Sequence, residues 1–170
     1  DSFSLEEILN FEIPCVKAFK ESEIKMFHIM WQKGLNSPLT SSVGRLFDAV
    51  ASFADILHIQ SYEGETGLQI EENYDKTIIQ SYAYEIIDDK IEISSMIKQI
   101  ILEKDKKQIC SKFINTLVSI VLDISNFYKD LPIVLGGGVV QNRTFLELLI
   151  NKFKEQNREF YYNKNIPLND

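Results

Sequence analysis

The sequence predicts a helix-rich α/β fold, and three observations lead to this class. Most of residues 1–130 carry apolar side chains at the three-to-four-residue spacing of amphipathic helices. A short apolar run at residues 132–135 is typical of a strand buried on both faces, and three glycines follow it directly. A further helical segment and a second apolar segment come next, so residues 131–170 are expected to form a βαβ unit.

The first third of the chain contains three helix signals. Ser4 and Glu7 have the spacing of a capping box, which predicts a helix start at the N-terminus. Residues 21–34 carry one apolar helix face, and Gly34 is expected to end that helix. After a turn containing Pro38, Thr40 or Ser41 is expected to cap a longer helix that reaches about residue 56.

The middle of the chain mixes element types. A turn at residues 62–67 is expected to open a short helix, and residues 78–87 are rich in Ile and Tyr, which favours a strand. A turn at residues 88–90 and a return strand at 91–93 would complete a hairpin near 78–93. Ser94 or Ser95 would then cap another helix, and a long amphipathic helix is expected over residues 105–127.

Composition limits the possible functions. The chain has 170 residues, 45% of them hydrophobic, as in one globular domain or lobe. Its formal net charge of −7 argues against nonspecific binding to nucleic acid. No run of 18 apolar residues and no signal peptide are present, so we expect a cytoplasmic protein without a membrane span. Because it starts at Asp1 rather than Met, we expect a piece of a longer protein.

The glycine run at residues 136–138 is a candidate binding loop. Glycines after a buried strand allow a sharp turn and close approach of a ligand, and a following helix N-terminus suits a phosphate or a ribose edge. The run lacks the dinucleotide fingerprint and the P-loop lysine, so a tight structural turn remains the alternative.

A second candidate lies in the helix after Pro38. Arg45 and Asp48 are three residues apart and can pair on one helix face, while Gly44 suggests the close approach of another helix or a ligand. Glu63 and Glu65 on the next turn could bind hydroxyl groups or be solvated.

Cysteines and histidines give weaker signals. Cys15 and Cys110 form no C-x-x-C pair, so we expect reduced thiols and no zinc site. His28 and His58 are expected on helix faces, and no Ser-His-Asp or Cys-His arrangement follows from their spacing.

Four segments, taken in order, resemble one family. They are NSPLTSSVGRLFDAVA at residues 36–51, YEGE at 62–65, GGGVVQNR at 136–143 and PLND at 167–170. Over residues 13–170 the chain resembles the HypF family, the carbamoyltransferases of [NiFe]-hydrogenase maturation. The resemblance implies that residues 1–170 form a single lobe, the C-terminal lobe of an actin/Hsp70/sugar-kinase-like (RNase H-like) fold. Residues 1–130 would hold lobe helices and a helical insertion, and residues 131–170 the nucleotide-binding βαβ unit.

The resemblance also implies site residues. By position in the matching motifs, Asp48 would contact the nucleotide ribose, and Asp170 would be a ligand of a divalent metal (Fe, Zn or Mg) shared with histidines outside this chain. The remaining nucleotide-binding residues would be Gly64, Glu65, Gly137, Gly138 and Asn142. The matching loop of the tRNA-modifying relatives is Tyr-Pro-Gly-Gly, whereas residues 62–65 here are Tyr-Glu-Gly-Glu. Gly64 and Glu65 therefore match the family motif less closely than Asp48 and Asn142 do.

The chemistry implied by the resemblance is carbamoyl transfer. Carbamoyl phosphate and ATP would yield a carbamoyl-adenylate, and the carbamoyl group would pass to the C-terminal cysteine of the partner HypE, toward the cyanide ligand of the hydrogenase. With an incomplete metal site, this chain alone is expected to be inactive.

Two alternatives remain. One is a threonylcarbamoyl-transfer relative acting on tRNA, against which the acidic charge argues. The other is a non-catalytic lobe that binds a partner through its first amphipathic helices. Asp48 and Asn142 distinguish an enzyme from a scaffold, because in an enzyme they should converge.

Overall fold

The computed structural model describes residues 3–163, and its elements confirm the helix-rich α/β class. The two strand pairs are β1 (Glu85–Ile87) with β2 (Lys90–Glu92), and β3 (Ile133–Leu135) with β4 (Phe160–Tyr162). The helices, in chain order, are α1 (Leu5–Leu9), α2 (Pro14–Lys17), α3 (Glu21–Gln32), α4 (Val43–Phe53), α5 (Glu65–Glu72), α6 (Ser94–Leu102), α7 (Lys106–Phe127) and α8 (Arg143–Glu155). A 3-10 turn (Gly138–Gln141) precedes α8.

Helix α7 is the central element of the core, as its apolar periodicity predicts. Asp105 caps it through hydrogen bonds from the amides of Lys107 (2.8 Å) and Gln108 (3.2 Å). Phe113 on α7 meets Phe47 on α4 edge to face, with ring centroids 4.9 Å apart. By length and composition alone α7 could cross a membrane, but 56% of its most apolar stretch is buried inside the chain, as in a core helix.

The predicted strand over residues 78–87 is wrong for most of its length, because only Glu85–Ile87 pairs with β2. The preceding stretch lies along α7 and bonds to its side chains instead of to a strand. Asn115 donates to the carbonyl of Ile78 (2.8 Å), and the amide of Tyr82 donates to the Thr116 hydroxyl (2.8 Å). These bonds satisfy backbone groups that a strand partner would otherwise satisfy.

The βαβ unit at the C-terminal end is confirmed. Strands β3 and β4 are parallel, with Ile133 opposite Phe160, and α8 connects them and packs on α7. The expectation that β3 is buried on both faces is wrong, since Val134 is 76% exposed. The reason is that α8 packs on one face of this sheet, where Phe153 contacts Phe160, and no described element covers the other face.

Local caps differ in detail from the sequence prediction. The capping box of Ser4 and Glu7 is confirmed. Helix α4 starts later than expected, because Ser42 rather than Thr40 or Ser41 accepts from the Arg45 amide. Gly34 ends α3 in the left-handed region (φ 65°), as predicted.

The three N-terminal helices form a poorly covered layer. Helix α3 contacts α1, and α2, which the sequence analysis missed, contacts α4. Phe27, Ile29 and Trp31 on α3 remain 44–49% exposed. This layer therefore presents apolar surface that the rest of the described chain does not bury.

Candidate functional site

Asp48 lies where α4 meets α5. One carboxylate oxygen accepts from the buried Thr66 hydroxyl (2.8 Å) and from the Gln60 side-chain amide, and the other lies 3.4 Å from the Arg45 guanidinium. The predicted pairing of Arg45 with Asp48 is thus confirmed. The Asp48 side chain is 30% exposed, so its carboxylate is positioned by the protein and still open to a ligand.

Asn142 caps α8 and joins it to α5. Its side-chain oxygen accepts from the Phe145 amide (2.9 Å), and its amide nitrogen donates to the Gly67 carbonyl (3.0 Å). The residue is 8% exposed. Because Thr66 and Gly67 are consecutive, Asp48 and Asn142 are both bonded to the first turn of α5.

The N-terminus of α8 does not have the free amides that the sequence analysis assigned to a phosphate. The Glu71 carboxylate on α5 accepts from the amides of Arg143 (3.3 Å) and Thr144 (3.0 Å). The side-chain oxygen of Asn142 accepts from the amide of Phe145. A carboxylate at this position already satisfies the helix end and would repel a second anion. A phosphate would therefore have to approach the glycine loop rather than α8.

The glycine loop is open on its outer side. At Gly137 the backbone has φ 91°, which strongly favours glycine. A Cβ added at residue 136, 137 or 138 would meet no atom within 4 Å. The 3-10 turn that follows contacts both α4 and α8. The loop thus borders the same junction as Asp48 and Asn142.

Gly64 and Glu65 shape the start of α5. Gly64 occupies the N-cap with φ 86°, and no side chain caps this helix end. The Glu65 carboxylate accepts from the Ser61 amide (2.6 Å), so it holds the preceding turn. Both residues lie in the segment that leads to Thr66, the partner of Asp48.

The space around Gly44 bears on the expectation that another helix or a ligand approaches this residue closely. A Cβ at Gly44 would meet only the Ser42 hydroxyl, at 3.5 Å. No other described helix packs against this glycine, so the structure shows no close approach that would require it.

The predicted metal ligand Asp170 lies outside the described residues. Within residues 3–163, no group of three or more His, Cys, Asp or Glu side chains could hold a metal ion. The described part of the chain therefore provides no metal donor set.

Three residues of this junction were missed from sequence: Gln60, Thr66 and Glu71. Their partners are 12 to 73 positions away along the chain. No local periodicity or motif encodes such contacts, so only the packing of α5 between α4 and α8 reveals them.

Comparisons with known proteins agree on one family. The profile described as "Carbamoyltransferase, Kae1-like Domain, second subdomain" matches residues 3–170. Carbamoyltransferase HypF of Synechocystis sp. is 29% identical over 148 residues, which is 83% of this chain and 19% of that protein. The probable carbamoyltransferase HypF of Methanocaldococcus jannaschii is 26% identical, over 97% of this chain and 23% of that protein.

A solved structure has the same fold. It is described as full-length HypF in the phosphate- and nucleotide-bound form, and it matches 95% of this chain with a TM-score of 0.82 and 27% identity. This chain covers 27% of that one. The chain thus spans about a quarter or less of the relatives that it matches.

Proposed function

This chain belongs to the HypF carbamoyltransferase family, as part of its Kae1-like domain, and from this premise we propose that it supplies one half of a nucleotide site for carbamoyl transfer. The ligand would be ATP or the carbamoyl-adenylate made from ATP and carbamoyl phosphate. The observation that carries the proposal is the junction at α5, which fixes Asp48 and Asn142 to the consecutive residues Thr66 and Gly67.

Asp48 would bind the ribose. An ionised carboxylate accepts hydrogen bonds from two neighbouring hydroxyls, and charge-assisted bonds of this kind are about twice as strong as neutral ones. Thr66 and Gln60 hold one oxygen in place, so little side-chain entropy remains to be lost on binding.

The glycine loop would lie against the phosphate or the sugar. Gly137 and Gly138 lack side chains, so a ligand could reach the backbone closely. Asn142 would act mainly as a positioning residue, since it fixes the loop and α8 against α5. Gly64 and Glu65 would set the neighbouring turn in the same way.

The reaction would need more than this lobe. For the proposed transfer, the attacking thiolate would come from the HypE cysteine, and the described residues include no metal donor set. The metal, which would polarise the transferring group, would be bound by Asp170 and by histidines elsewhere. We therefore propose that the isolated chain binds nucleotide without completing the transfer.

Calorimetric titration with ATP tests the nucleotide site. Asp48→Asn keeps the shape of the side chain and its contact with Thr66 but removes the charge. We expect its affinity for ATP to fall by at least about tenfold, as for the loss of a charged hydrogen bond. Asp123→Asn is the matched control, since it removes the same charge on α7, where Asp123 bonds to Tyr84. Equal affinities of Asp48→Asn and the parent chain, or no saturable binding by the parent, would contradict the proposal.

A second candidate function is partner binding without catalysis. The exposed apolar side chains of α3, including Phe27 and Trp31, favour it. Absence of ATP binding in the titration would leave this function as the better one.

A further inference from the structure

The loop between α4 and α5 folds back onto α4 and is held there by His58. The Nδ1 atom of His58 lies 3.1 Å from the Ser52 hydroxyl of α4, and its Nε2 atom lies 3.0 Å from Asp55 Oδ1. Lys106 of α7 donates to the Asp55 carbonyl, and its Nζ atom lies 3.6 Å from the Asp55 carboxylate. The expectation that His58 lies on a helix face is wrong, because it follows α4 in this loop and faces back toward Ser52.

The backbone of this loop is fixed on both sides of Gln60. Asp55 has φ 54°, a left-handed conformation that reverses the chain directly after α4. His58 then binds the loop to α4, two residues before Gln60. On the other side, the amide of Ser61 donates to Glu65 Oε2 (2.6 Å). Gln60 is therefore presented from a defined backbone position between two anchored points.

The side-chain amide of Gln60 has a defined orientation. Its nitrogen donates to Asp48 Oδ1, which also accepts from the Thr66 hydroxyl (2.8 Å). A carboxylate accepts hydrogen bonds only, so the nitrogen of Gln60 must face Asp48, and the carbonyl oxygen is left for another donor. Within residues 3–163 this oxygen has no hydrogen-bond partner, and Gln60 is exposed to solvent. It is therefore an acceptor that a bound molecule can use.

Asp48 and Gln60 together present two acceptors at the junction of α4 and α5. The second carboxylate oxygen of Asp48 lies 3.4 Å from the Arg45 guanidinium, and the Arg45 side chain is 76% exposed. A contact this long to an exposed arginine is weak, so this oxygen can also accept from a ligand. Two acceptors on neighbouring side chains match the two hydroxyl donors of a vicinal diol, which a ribose carries at C2′ and C3′.

We infer that Gln60 is a ribose-binding residue, whose side-chain oxygen accepts from one hydroxyl of the nucleotide while Asp48 Oδ2 accepts from the other. This inference rests on the proposed nucleotide site, and it gives that site a preference for ribonucleotides over deoxyribonucleotides. A nucleotide that lacks either hydroxyl would leave one of the two acceptors without its donor in the complex. The loop anchored by His58 would set the position of Gln60 and thereby the strength of this preference.

Calorimetric titrations with ATP, 2′-deoxyATP and 3′-deoxyATP test the inference. The parent chain should bind each deoxynucleotide at least about fivefold more weakly than ATP, as for the loss of one hydrogen bond. Gln60→Met keeps the length of the side chain but removes the amide. Its affinity for ATP should fall at least about fivefold. Its affinity for the one deoxynucleotide that lacks the hydroxyl bound by Gln60 should fall about fivefold less, because that bond is already absent.

Two further variants control for indirect effects. Gln99→Met is the matched control, since Gln99 also donates one bond, to the Ser95 carbonyl on α6 (3.1 Å), and it should leave all three affinities unchanged. Asp55→Gly suits the left-handed backbone but releases His58, so it should weaken the preference for ATP over the same deoxynucleotide. Added to Gln60→Met, it should change that preference no further, because Gln60 carries the effect.

The pattern across the three nucleotides separates ligand binding from a structural role. If Gln60→Met lowered all three affinities by the same factor, or lowered none of them, the inference would be overturned. In either case, ATP binding by the parent chain and its weakening in Asp48→Asn would leave the proposed nucleotide site intact. An absence of saturable ATP binding by the parent chain would instead contradict the proposed site, and the inference with it.

Discussion

Asn142→Ala should be among the more destabilising single changes at the candidate site. The side chain makes two bonds that alanine cannot make, one to the amide of Phe145 and one to the carbonyl of Gly67. Loss of an N-cap costs about 1 kcal/mol. Leaving a partly buried carbonyl without its donor costs about 1–3 kcal/mol.

Together these losses predict a decrease of about 2–4 kcal/mol in the free energy of unfolding. For a chain of this size that corresponds to a melting temperature lower by roughly 5–15 °C. Urea unfolding followed by circular dichroism at 222 nm measures the change, with the slope checked for two-state behaviour.

Two further variants separate the contribution of the helix cap from that of the bond between Asn142 and α5. Asn142→Ser keeps a capping hydroxyl but is too short to reach α5, so it should recover only the capping share, about 1 kcal/mol. Asn10→Ala is the control, because Asn10 makes a similar bond to a carbonyl on the exposed surface, and we expect less than about 0.5 kcal/mol. A change below about 0.5 kcal/mol for Asn142→Ala would refute the view that Asn142 holds α8 to α5.

Two other predictions concern stability. Gly44→Ala should raise the free energy of unfolding by about 0.5–1 kcal/mol, since the added methyl group meets only Ser42. The same change should weaken ATP binding if the nucleotide approaches α4 at this residue. An unchanged affinity for ATP would show that Gly44 is not part of the site. Glu103 pairs with Lys112 at 2.9 Å, and the hydrogen bond from Lys112 holds the pKa of Glu103 below its ordinary 4.5. Because the folded pKa is the lower one, the pair stabilises the fold above pH 4.5 and loses this effect as the pH falls through the folded pKa. Glu103→Gln should therefore cost about 1 kcal/mol at pH 7, and its urea midpoint should meet that of the parent chain in acid; a constant gap across pH would contradict this assignment.

The apolar patterns predicted the long elements well. Helix α7 was expected at residues 105–127 and occupies Lys106–Phe127, because its periodic apolar face is encoded locally. The parallel βαβ unit was expected for the same reason, together with the glycine run that ends β3. The four family-like segments contain Asp48 and Asn142, and the structure bonds both residues to α5, while their role in binding a nucleotide stays a prediction.

Tertiary packing decided the rest. Residues 78–84 have the composition of a strand, but side chains of α7 bind their backbone groups, so most of the segment has no strand partner. Val134 has the sequence context of a buried strand, yet it is exposed because no described element packs on that face of the sheet.

By itself, the sequence determined most of the segments that become helices and the residues that carry the resemblance to carbamoyltransferases. Periodicity, caps and motifs all act over a few residues, so they can be read along the chain. Only the tertiary structure decided that Glu71 occupies the N-terminus of α8 and that His58 connects Ser52 to Asp55. The contact of Glu71 joins residues more than 70 positions apart, and the His58 contacts depend on how a loop folds back on α4. Such contacts arise from packing geometry, which no local pattern encodes.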